Sequence, residues 1–577
     1  MRNLEHDIRS RLLPQVNAPA QYIGLEINAR RKDPAAAAVS VALAFPDAYG
    51  VGISHLGSQV LYQMLNDMPA VACDRAYCPQ PDAETVMRRQ NVPLFGWESR
   101  CALADFDILG FSLAYELCVT NVLTMLDLAG IPLHADQRGP GDPIVVGGDA
   151  LADSPEPLAD FFDLFLVGDG EGPLRELVEL VARLKGARAS RDEIIAAAQR
   201  TIKAAYAPRF YRAADGPVVR SHLADLHASP PLTRPLVPLA EGVHERVVIE
   251  IMRGCPNGCR FCQAGATRLP VRCRSVEEIV AAAGEALAAT GYREISLLSL
   301  STSDYPRLDE LIERLNAEFA PRHVSISLPS LRVDSQLAQL PKLTSSVRKG
   351  GLTIAAEAAS ERLRRAIRKN ITDENMLAGV QAAYAAGWRS VKVYFMAGLP
   401  GETPADIDAI FDLCLKLCHT RRAVDGKNGA VSASVSWFVP KPHTPLQWCA
   451  MQTAEYFFAV RQRLLDLSHR SPVTFKFHRI EQSILEAVIC RGGREVGQAV
   501  EAAWRRGARM DSWSEHWDWS KWQEAFAETG IDVASIAQRQ IPIDAVLPWS
   551  HISGHRRGDF LLGEYQQMQA ALAEGPS

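Results

Sequence analysis

VVIEIMRGCPNGCRFC, residues 247–262, joins a short apolar run to a loop that contains three cysteines. The apolar run predicts a buried β-strand, and the glycine, proline and asparagine residues after it predict a loop. Cys255, Cys259 and Cys262 follow a C-x3-C-x2-C spacing, so one loop can direct three thiolates to three irons of one iron–sulfur cluster. The fourth iron then has no protein ligand, and an open coordination position is what a catalytic metal needs for its substrate.

The residues around and after this loop predict a β/α barrel. Six apolar runs have the composition of buried strands: 247–254, 294–300, 324–333, 351–358, 390–399 and 430–440. Helical periodicity lies between them, as in VEEIVAAAGEALAAT and ITDENMLAGVQAAYAAG. This alternation indicates a partial or full β/α barrel over residues 246–455, with its site at the carboxyl ends of the strands.

The residues before the loop predict a second α/β unit. Apolar runs alternate with helical periodicity and indicate a doubly wound, Rossmann-like parallel sheet within residues 1–213. Those runs lie at 39–46, 105–113, 142–149 and 161–170. Ligands of such sheets bind at the carboxyl ends of the strands, where four glycines cluster: Gly147, Gly148, Gly168 and Gly170. The proline-rich residues 214–245 predict a linker, and residues 456–577 predict a mostly helical region.

Composition excludes several classes of protein. The chain has 577 residues, of which 47% are hydrophobic and 22% charged, so several folded domains are expected rather than disorder. Its 12 cysteines are too sparse for a disulfide scaffold, and the formal net charge of -5 gives no general attraction to nucleic acid. The first residues lack the apolar core of a signal peptide, and no apolar stretch approaches the roughly 20 residues of a membrane helix. We therefore expect a cytoplasmic protein with no membrane partner.

The spacing of the cysteines, and their place after a barrel strand, resemble the signature of the radical SAM superfamily. The resemblance implies that Cys255, Cys259 and Cys262 bind a [4Fe–4S] cluster, and that Phe261 packs beside an adenine. It also implies that the open iron chelates the amino and carboxylate groups of S-adenosylmethionine (SAM). An electron from a reductant such as flavodoxin or ferredoxin then cleaves the sulfonium, and the resulting 5′-deoxyadenosyl radical abstracts hydrogen from a substrate.

Other barrel segments are similar to the same superfamily. In TIAAEAASERLRRAIRKNIT, residues 353–372, the resemblance implies that Glu357 contacts a ribose or an amine and that Arg368 or Lys369 pairs with a carboxylate. YFMAGLPGET resembles a turn that binds adenine through backbone groups, which makes Gly398 a candidate. SLSTSDY departs from the Gly-Gly-Glu turn of many relatives and leaves recognition of the SAM amine open.

The N-terminal unit resembles the cobalamin-binding-type Rossmann domain that precedes many radical SAM cores. The resemblance implies that Gly147, Gly148, Gly168 and Gly170 approach a corrin ring, and His55 stands in the loop that would face it. The Asp-x-His-x-x-Gly pattern of histidine-ligated cobalamin proteins is missing from that loop. Two interpretations remain open: the domain binds cobalamin, or it is a degenerate domain that serves as a substrate platform. From about Tyr22 to Tyr565 the chain resembles an uncharacterised family of radical SAM proteins with a B12-binding domain.

Three functional hypotheses follow. The first is a radical SAM enzyme that methylates an unactivated carbon with cobalamin. The second keeps the radical chemistry without cobalamin and gives rearrangement, oxidation or sulfur insertion. The third is a metal-stabilised RNA-binding protein, with zinc on the three cysteines and Cys273, and with the aromatic residues between Trp504 and Trp522 stacked on bases. The substrate of either enzyme is a small molecule or RNA, and helical spacing favours packing as the role of the tryptophans.

Overall fold

The structure is a computed structural model that describes residues 1–327, 352–556 and 558–573. It contains two parallel-sheet units and a C-terminal region that packs against both. This arrangement confirms the fold class expected from the sequence.

The N-terminal sheet has six strands in the order β2-β1-β3-β4-β5-β6. They are β1 (Val39–Phe45), β2 (Val71–Tyr77), β3 (Ile108–Ser112), β4 (Ile144–Gly148), β5 (Leu164–Leu166) and β6 (Ala205–Tyr206). The first five strands are parallel, and β6 pairs antiparallel with β5. The order reverses between β1 and β3, which is the position where doubly wound sheets bind their ligands.

Longer α-helices cover this sheet. Because they bury its strands, most of the strands are continuous apolar runs. They are α1 (Leu56–Asp67), α2 (Pro81–Gln90), α3 (Val119–Ala129), α4 (Glu171–Gly186) and α5 (Arg191–Thr201). Each predicted run contains an observed strand, whereas β2 was not predicted because charged residues interrupt it. Asp74 and Arg75 lie fully within this buried strand, where Arg75 binds Glu26 at 2.8 Å.

The proline-rich segment 214–245 is irregular, but it is held against its neighbours at several points. Its short strand β7 (Val218–Val219) lies near a backbone bridge from Gly168 to Ser221. Farther along, Val237 forms a bridge with Ile27. The segment therefore packs along the N-terminal unit.

The second unit contains two parallel sheets and one hairpin. Its strands are β8 (Val247–Glu250), β9 (Met252–Arg253), β10 (Arg272–Cys273), β11 (Glu294–Leu298), β12 (Ser325–Ser327), β13 (Leu352–Glu357), β14 (Ser390–Ala397), β15 (Ala430–Trp437) and β16 (Val473–Phe477). The sheet orders are β12-β11-β8 and β13-β14-β15-β16, and β9 pairs antiparallel with β10. Every predicted run contains a strand, although positions 328–333 and 351 of the predicted strands lie outside the described residues.

Helices follow these strands as a β/α barrel requires. They are α6 (Gln263–Thr267), α7 (Val276–Thr290), α8 (Leu308–Phe319), α9 (Glu361–Ala366), α10 (Asp373–Ala385) and α11 (Pro404–Thr420). Strand β16 extends the second sheet beyond residue 455, the predicted end of the barrel. Its alternating burial hides it from a search for continuous apolar runs.

The C-terminal region joins the barrel to the N-terminal sheet. It contains α12 (Ala454–Ser468), α13 (Ile480–Arg491), α14 (Val496–Arg505), α15 (Trp519–Thr529), β17 (Ile552–Ser553) and α16 (Gly558–Ala573). Strand β17 pairs with β7. No helix in the described parts of the chain is both long enough and apolar enough to cross a membrane.

The tryptophans of this region pack within the protein. The Trp504 indole donates to Thr124 at 3.0 Å, and the Trp513 indole donates to Asp47 at 2.7 Å. Trp522 is fully buried. The neighbouring arginines are paired with acids, as Arg509 is with Glu84 at 3.2 Å. Packing thus accounts for the aromatic cluster that the RNA hypothesis invoked.

We predict that Gly168→Ala destabilises the protein by about 2–4 kcal/mol, because a left-handed backbone and a collision combine there. Gly168 has φ +99°, and an added Cβ would lie 2.1 Å from the Ser221 carbonyl oxygen. Gly130, with φ +74° and no atom within 4 Å of its Cβ position, is the matched control, for which about 1 kcal/mol is expected. Urea unfolding of both variants measures the difference, and equal losses would contradict the prediction.

Candidate metal centre

The cysteine loop lies between β9 and α6 and depends on two glycines. Gly254 has φ +87°, and an added Cβ would come within 2.8 Å of the Arg268 carbonyl oxygen. Gly258 has φ +63°. Both positions favour glycine because other residues are strained in this left-handed region. The sequence therefore folds this stretch into a tight loop closed against its own continuation.

Two nitrogen donors orient the thiols. Cys262 is the N-cap of α6, and its sulfur accepts the Gly265 N–H at 3.2 Å. The Asn257 side-chain amide donates to the Cys255 sulfur at 3.3 Å. Donors of this kind orient a metal ligand and stabilise negative charge on it.

The three thiols of this loop are free, partly exposed and electrostatically coupled. Burial raises the pKa of the Cys259 thiol to about 11, while the charge of Lys369 opposes the rise. Over the described ranges, no three His, Cys, Asp or Glu side chains converge closely enough to hold a single metal ion. A [4Fe–4S] cluster instead takes each thiolate on a separate iron, and three free thiols with amide donors fit that ligand set.

Glu357 and Lys369 face the same space as the cysteines. Glu357 ends β13 at an irregularity of the strand, with φ +65°. Its carboxylate lies 3.7 Å from the Lys369 ammonium. Burial raises the pKa of Glu357, and Lys369 opposes that rise; both charges also act on Cys259 and Cys262. The structure thus brings these two predicted residues together with the three cysteines.

Phe261 and Gly398 lie beside this space on different elements. Phe261 packs against an apolar cluster that includes Phe438 and residues of α16. Gly398 has φ +90°, and its N–H donates to Glu402 Oε1 at 2.7 Å. An added Cβ at Gly398 would lie 2.6 Å from Phe457. Local packing explains this glycine, and contact with adenine remains a prediction for both residues.

Asp304 occupies the region where the sequence departs from the Gly-Gly-Glu turn. It accepts the Ser301 hydroxyl at 2.6 Å and the Asn257 amide at 2.7 Å. Asn257 in turn contacts Cys255. The segment after β11, which contains Ser301 and Asp304, therefore supports the cysteine loop through a chain of hydrogen bonds.

His55 lies at the point where the order of the N-terminal sheet reverses. As the N-cap of α1, its Nδ1 accepts the Ser58 N–H at 3.2 Å. The Ser58 hydroxyl bonds to the Ser112 hydroxyl at 3.0 Å, which joins the start of α1 to the end of β3. Burial lowers the pKa of His55, and the neutral ring then carries its proton on Nε2, 3.6 Å from Asp149 Oδ2. Nδ1 is therefore hydrogen-bonded within the protein, whereas Nε2 only approaches the Asp149 carboxylate.

Asp149 connects this cleft to the cysteine loop. It follows the Gly147-Gly148 pair at the end of β4 with φ +76°, and its other oxygen accepts Arg268 at 2.7 Å. Arg268 directly follows α6, whose N-cap is Cys262. The carboxyl edge of the N-terminal sheet therefore faces the candidate metal centre, an arrangement that the sequence analysis did not identify.

A second group of charged side chains, just after β5, also connects the N-terminal sheet to the cysteine loop. Arg253 lies 2.8 Å from Glu171 and 3.3 Å from Asp169, and Arg272 lies 2.6 Å from Asp169. These side chains are at most 15% exposed. Although burial opposes the change, Arg253, the Leu223 N–H and Arg272 hold the pKa of Asp169 below its ordinary value.

The four predicted glycines differ in the space beside them. An added Cβ would lie 2.8 Å from Phe165 at Gly147 and 2.1 Å from Ser221 at Gly168, so internal packing accounts for both. The nearest atoms are 3.8 Å away at Gly148 and 3.6 Å away at Gly170. A side chain at Gly148 or Gly170 would thus meet its neighbours at ordinary van der Waals distance, without the collisions found at the other two.

Two family models match the chain. The model for radical SAM proteins, N-terminal, matches residues 57–208, and the model for the radical SAM superfamily matches residues 249–414. Together these ranges include more than half of the chain. The second range begins within β8, directly before the cysteine loop.

A relative and two solved structures extend this similarity. The uncharacterized protein MJ0966 of Methanocaldococcus jannaschii is 26% identical over 469 residues, which span 80% of this chain and 90% of that protein. The radical SAM methyltransferase TsrM from Kitasatospora setae, solved with cobalamin and a [4Fe–4S] cluster bound, matches with a TM-score of 0.50 and 15% identity. That match covers 85% of this chain and 99% of TsrM.

The second solved structure is the cobalamin-dependent SAM radical enzyme OxsB, with aqua-cobalamin bound. It matches with a TM-score of 0.50 and 12% identity, over 92% of this chain and 84% of OxsB. At these identities, both likenesses show the fold.

We predict that Glu402→Gln becomes more stable relative to wild type as the pH rises. Burial raises the pKa of Glu402 to about 7, while its hydrogen bonds with Tyr456 and Gly398 oppose the rise. Between pH 4.5 and 7 the folded state therefore binds more protons at Glu402 than the unfolded state does, so rising pH removes stability. Glutamine avoids this loss, which we expect to be about 1–2 kcal/mol.

Anaerobic urea unfolding at pH 5 and pH 8 measures the difference between the variant and wild type. Glu374→Gln, at an exposed position of α10, is the control and should show no change with pH. A Glu402→Gln difference that is the same at both pH values would contradict the prediction.

Proposed function

Because this chain belongs to the radical SAM superfamily, we propose that it methylates a substrate. The substrate would be held between the N-terminal sheet and the barrel, with cobalamin in the N-terminal cleft. The Asp149–Arg268 pair is the observation that carries this proposal. It joins the strand end beside the cleft to the helix that begins at Cys262. A methyl donor and a radical source placed on these facing edges would reach one substrate.

The residues of the metal centre have distinct roles in SAM chemistry. Cys255, Cys259 and Cys262 hold the [4Fe–4S] cluster, which, when bound, supplies the electron that cleaves SAM reductively. Glu357 and Lys369 bring opposite charges to the open side of the loop. An ammonium beside a carboxylate matches the carboxylate and amine of the methionine part of SAM.

The N-terminal cleft fits a flat ligand at the β1–β3 reversal. Ser58, Ser112 and Gly148 are small, and a Cβ added at Gly148 would collide with no atom. Cobalamin, when bound there, would supply the methyl group, as the likeness to the fold of TsrM and OxsB supports. His55 binds Ser58 through Nδ1, and Asp149 lies 3.6 Å from its Nε2, so these contacts orient the imidazole at the border of the ring.

A second candidate function keeps the radical chemistry without cobalamin. The filled positions beside Gly147 and Gly168 favour it, since two of the four predicted glycines leave no room for a ligand. Rearrangement or oxidation is then favoured over sulfur insertion, which commonly needs further cluster ligands. Cys414 and Cys418, an i, i+4 pair of α11, are fully buried.

The same proposal extends to the partners and the domain organisation. The electron donor would be a protein such as flavodoxin or ferredoxin, and the substrate a small molecule or RNA. All twelve cysteines are free thiols, which supports a reducing compartment such as the cytoplasm. Residues 1–213 would form the cofactor-binding unit, with a connecting segment to 245, the catalytic barrel to 455 and a largely helical region to 577.

We predict that replacing any cluster cysteine abolishes SAM cleavage. After anaerobic reconstitution the wild-type chain should hold about four irons and form 5′-deoxyadenosine under strong reductant. Cys255→Ala, Cys259→Ala and Cys262→Ala should each lose this product, whereas Cys273→Ala should retain it. Chromatography of the nucleoside measures the result. Zinc without iron in the wild-type protein would contradict the proposal.

We predict that Ser112→Trp prevents cobalamin binding while it preserves the iron content. The indole would fill the space at the end of β3, where Ser112 contacts Ser58. Absorbance of the purified full-length protein should show about one cobalamin per chain in wild type and in the exposed control Ser535→Trp. Wild-type protein that cleaves SAM but binds no cobalamin would favour the second candidate.

A further inference from the structure

Glu564 on α16 binds two arginines, one in the cysteine loop and one in the turn that precedes Lys369. Its Oε2 accepts Arg260 Nε at 2.9 Å, and its Oε1 accepts Arg368 Nη1 at 2.6 Å. Arg260 is 6% exposed and Glu564 is 7% exposed. One buried carboxylate thus joins two segments that are far apart in the sequence.

Arg260 belongs to the cysteine loop itself, between Cys259 and Cys262. Its guanidinium also donates to the Ala366 carbonyl at 2.7 Å and to Gln567 on α16 at 3.1 Å. The backbone N–H of Arg260 donates to the Ile367 carbonyl at 3.0 Å. Helix α16 and the C-terminal end of α9 therefore fix the part of the loop that carries Cys259 and Cys262.

Arg368 belongs to the turn that presents Lys369. Arg368 has φ +56°, and its guanidinium lies 3.8 Å from the Cβ position of Gly258 in the cysteine loop. Lys369 is the next residue and pairs with Glu357 at 3.7 Å. A carboxylate that fixes Arg368 therefore also fixes the start of the Lys369 side chain.

Apolar contacts hold α16 in place for this role. Leu561, Tyr565 and Met568 are buried in the cluster that contains Phe438 and contacts Phe261. At the far end of the helix, Leu572 lies 2.9 Å from the Cβ position of Gly401, in the turn after β14. The helix therefore contacts two loops at the carboxyl edge of the barrel as well as the cysteine loop.

We propose that Glu564 is a positioning residue that sets the cysteine loop and the Lys369 turn in the relative geometry needed for SAM cleavage. The inference rests on the proposed radical SAM function and adds α16 to the catalytic framework. Its loss would leave two arginines without their shared counter-charge beside the centre, and an unpaired buried charge causes rearrangement. A displacement of about 1 Å at reacting groups costs about a hundredfold in rate.

The test uses Glu564→Gln in the full-length protein after anaerobic reconstitution. We expect about four irons per chain, as in wild type, and a SAM cleavage rate per cluster lowered about a hundredfold. We also expect a weaker change in the electron paramagnetic resonance spectrum of the reduced cluster on addition of SAM. Glu528→Gln removes an acid that pairs with Arg506 on the C-terminal helices and serves as the control.

A second variant separates positioning from folding. Arg368→Gln breaks the bridge on the side of the turn and leaves the Arg260–Glu564 contact in place. If Glu564 acts through Arg368, the double variant should cleave SAM no more slowly than Glu564→Gln, because the second substitution has nothing left to disrupt. Fully multiplicative losses would overturn the proposal.

Three further outcomes are decisive. Glu564→Gln with the cleavage rate and spectrum of Glu528→Gln overturns the positioning role. Loss of iron, with a normal cleavage rate for each remaining cluster, also overturns it, because Glu564 would then serve stability alone. Failure of the wild-type protein to cleave SAM would instead reject the proposed function.

Discussion

Charge pairs between Asp169 and two arginines hold the two α/β units in a single orientation. Arg253 ends the strand that enters the cysteine loop, and Arg272 starts the strand that leaves its far side. Both converge on Asp169, which lies just beyond β5 of the N-terminal sheet. The base of the cysteine loop is therefore attached to the carboxyl edge of the other sheet, and the position of each remaining site residue depends on that attachment.

The loop above this attachment is shaped by steric limits as much as by its cysteines. Gly254 is closed against the Arg268 carbonyl, and Arg268 then extends to Asp149. The same short segment thus sets the turn of the loop and supplies a second connection to the N-terminal sheet. Because that sheet reverses its order between β1 and β3, its natural ligand cleft lies on the edge that faces the loop.

Local patterns in the sequence predicted the elements but not the contacts between them. A parallel strand covered on both faces produces an apolar run, which is why β1 was recognisable. Strand β2 was missed because Arg75 is buried with paired acids, and β16 because only alternate residues are buried. The cysteine spacing could predict a set of cluster ligands because all three cysteines lie within one loop.

The contacts around the site join distant parts of the chain, so no local pattern encodes them. The Asp149–Arg268 and Arg260–Glu564 pairs span 119 and 304 positions. Glu357 and Lys369 were identified through resemblance to a family, and their pairing became visible only in the fold. An acidic residue on a C-terminal helix carries no sign, in the sequence alone, that it binds two arginines beside a cysteine loop.

Ion pairs form the junction between the two α/β units, and this has a physical consequence for the chemistry. Buried ion pairs contribute little net stability, because removing both charges from water costs about as much as their attraction returns. They do impose direction, since each carboxylate accepts its guanidinium over a narrow range of geometry. An apolar junction of equal area would tolerate sliding between the sheets. Because radical transfer requires the reacting atoms to stay in a fixed arrangement, directional contacts between the sheets serve it better than apolar packing would.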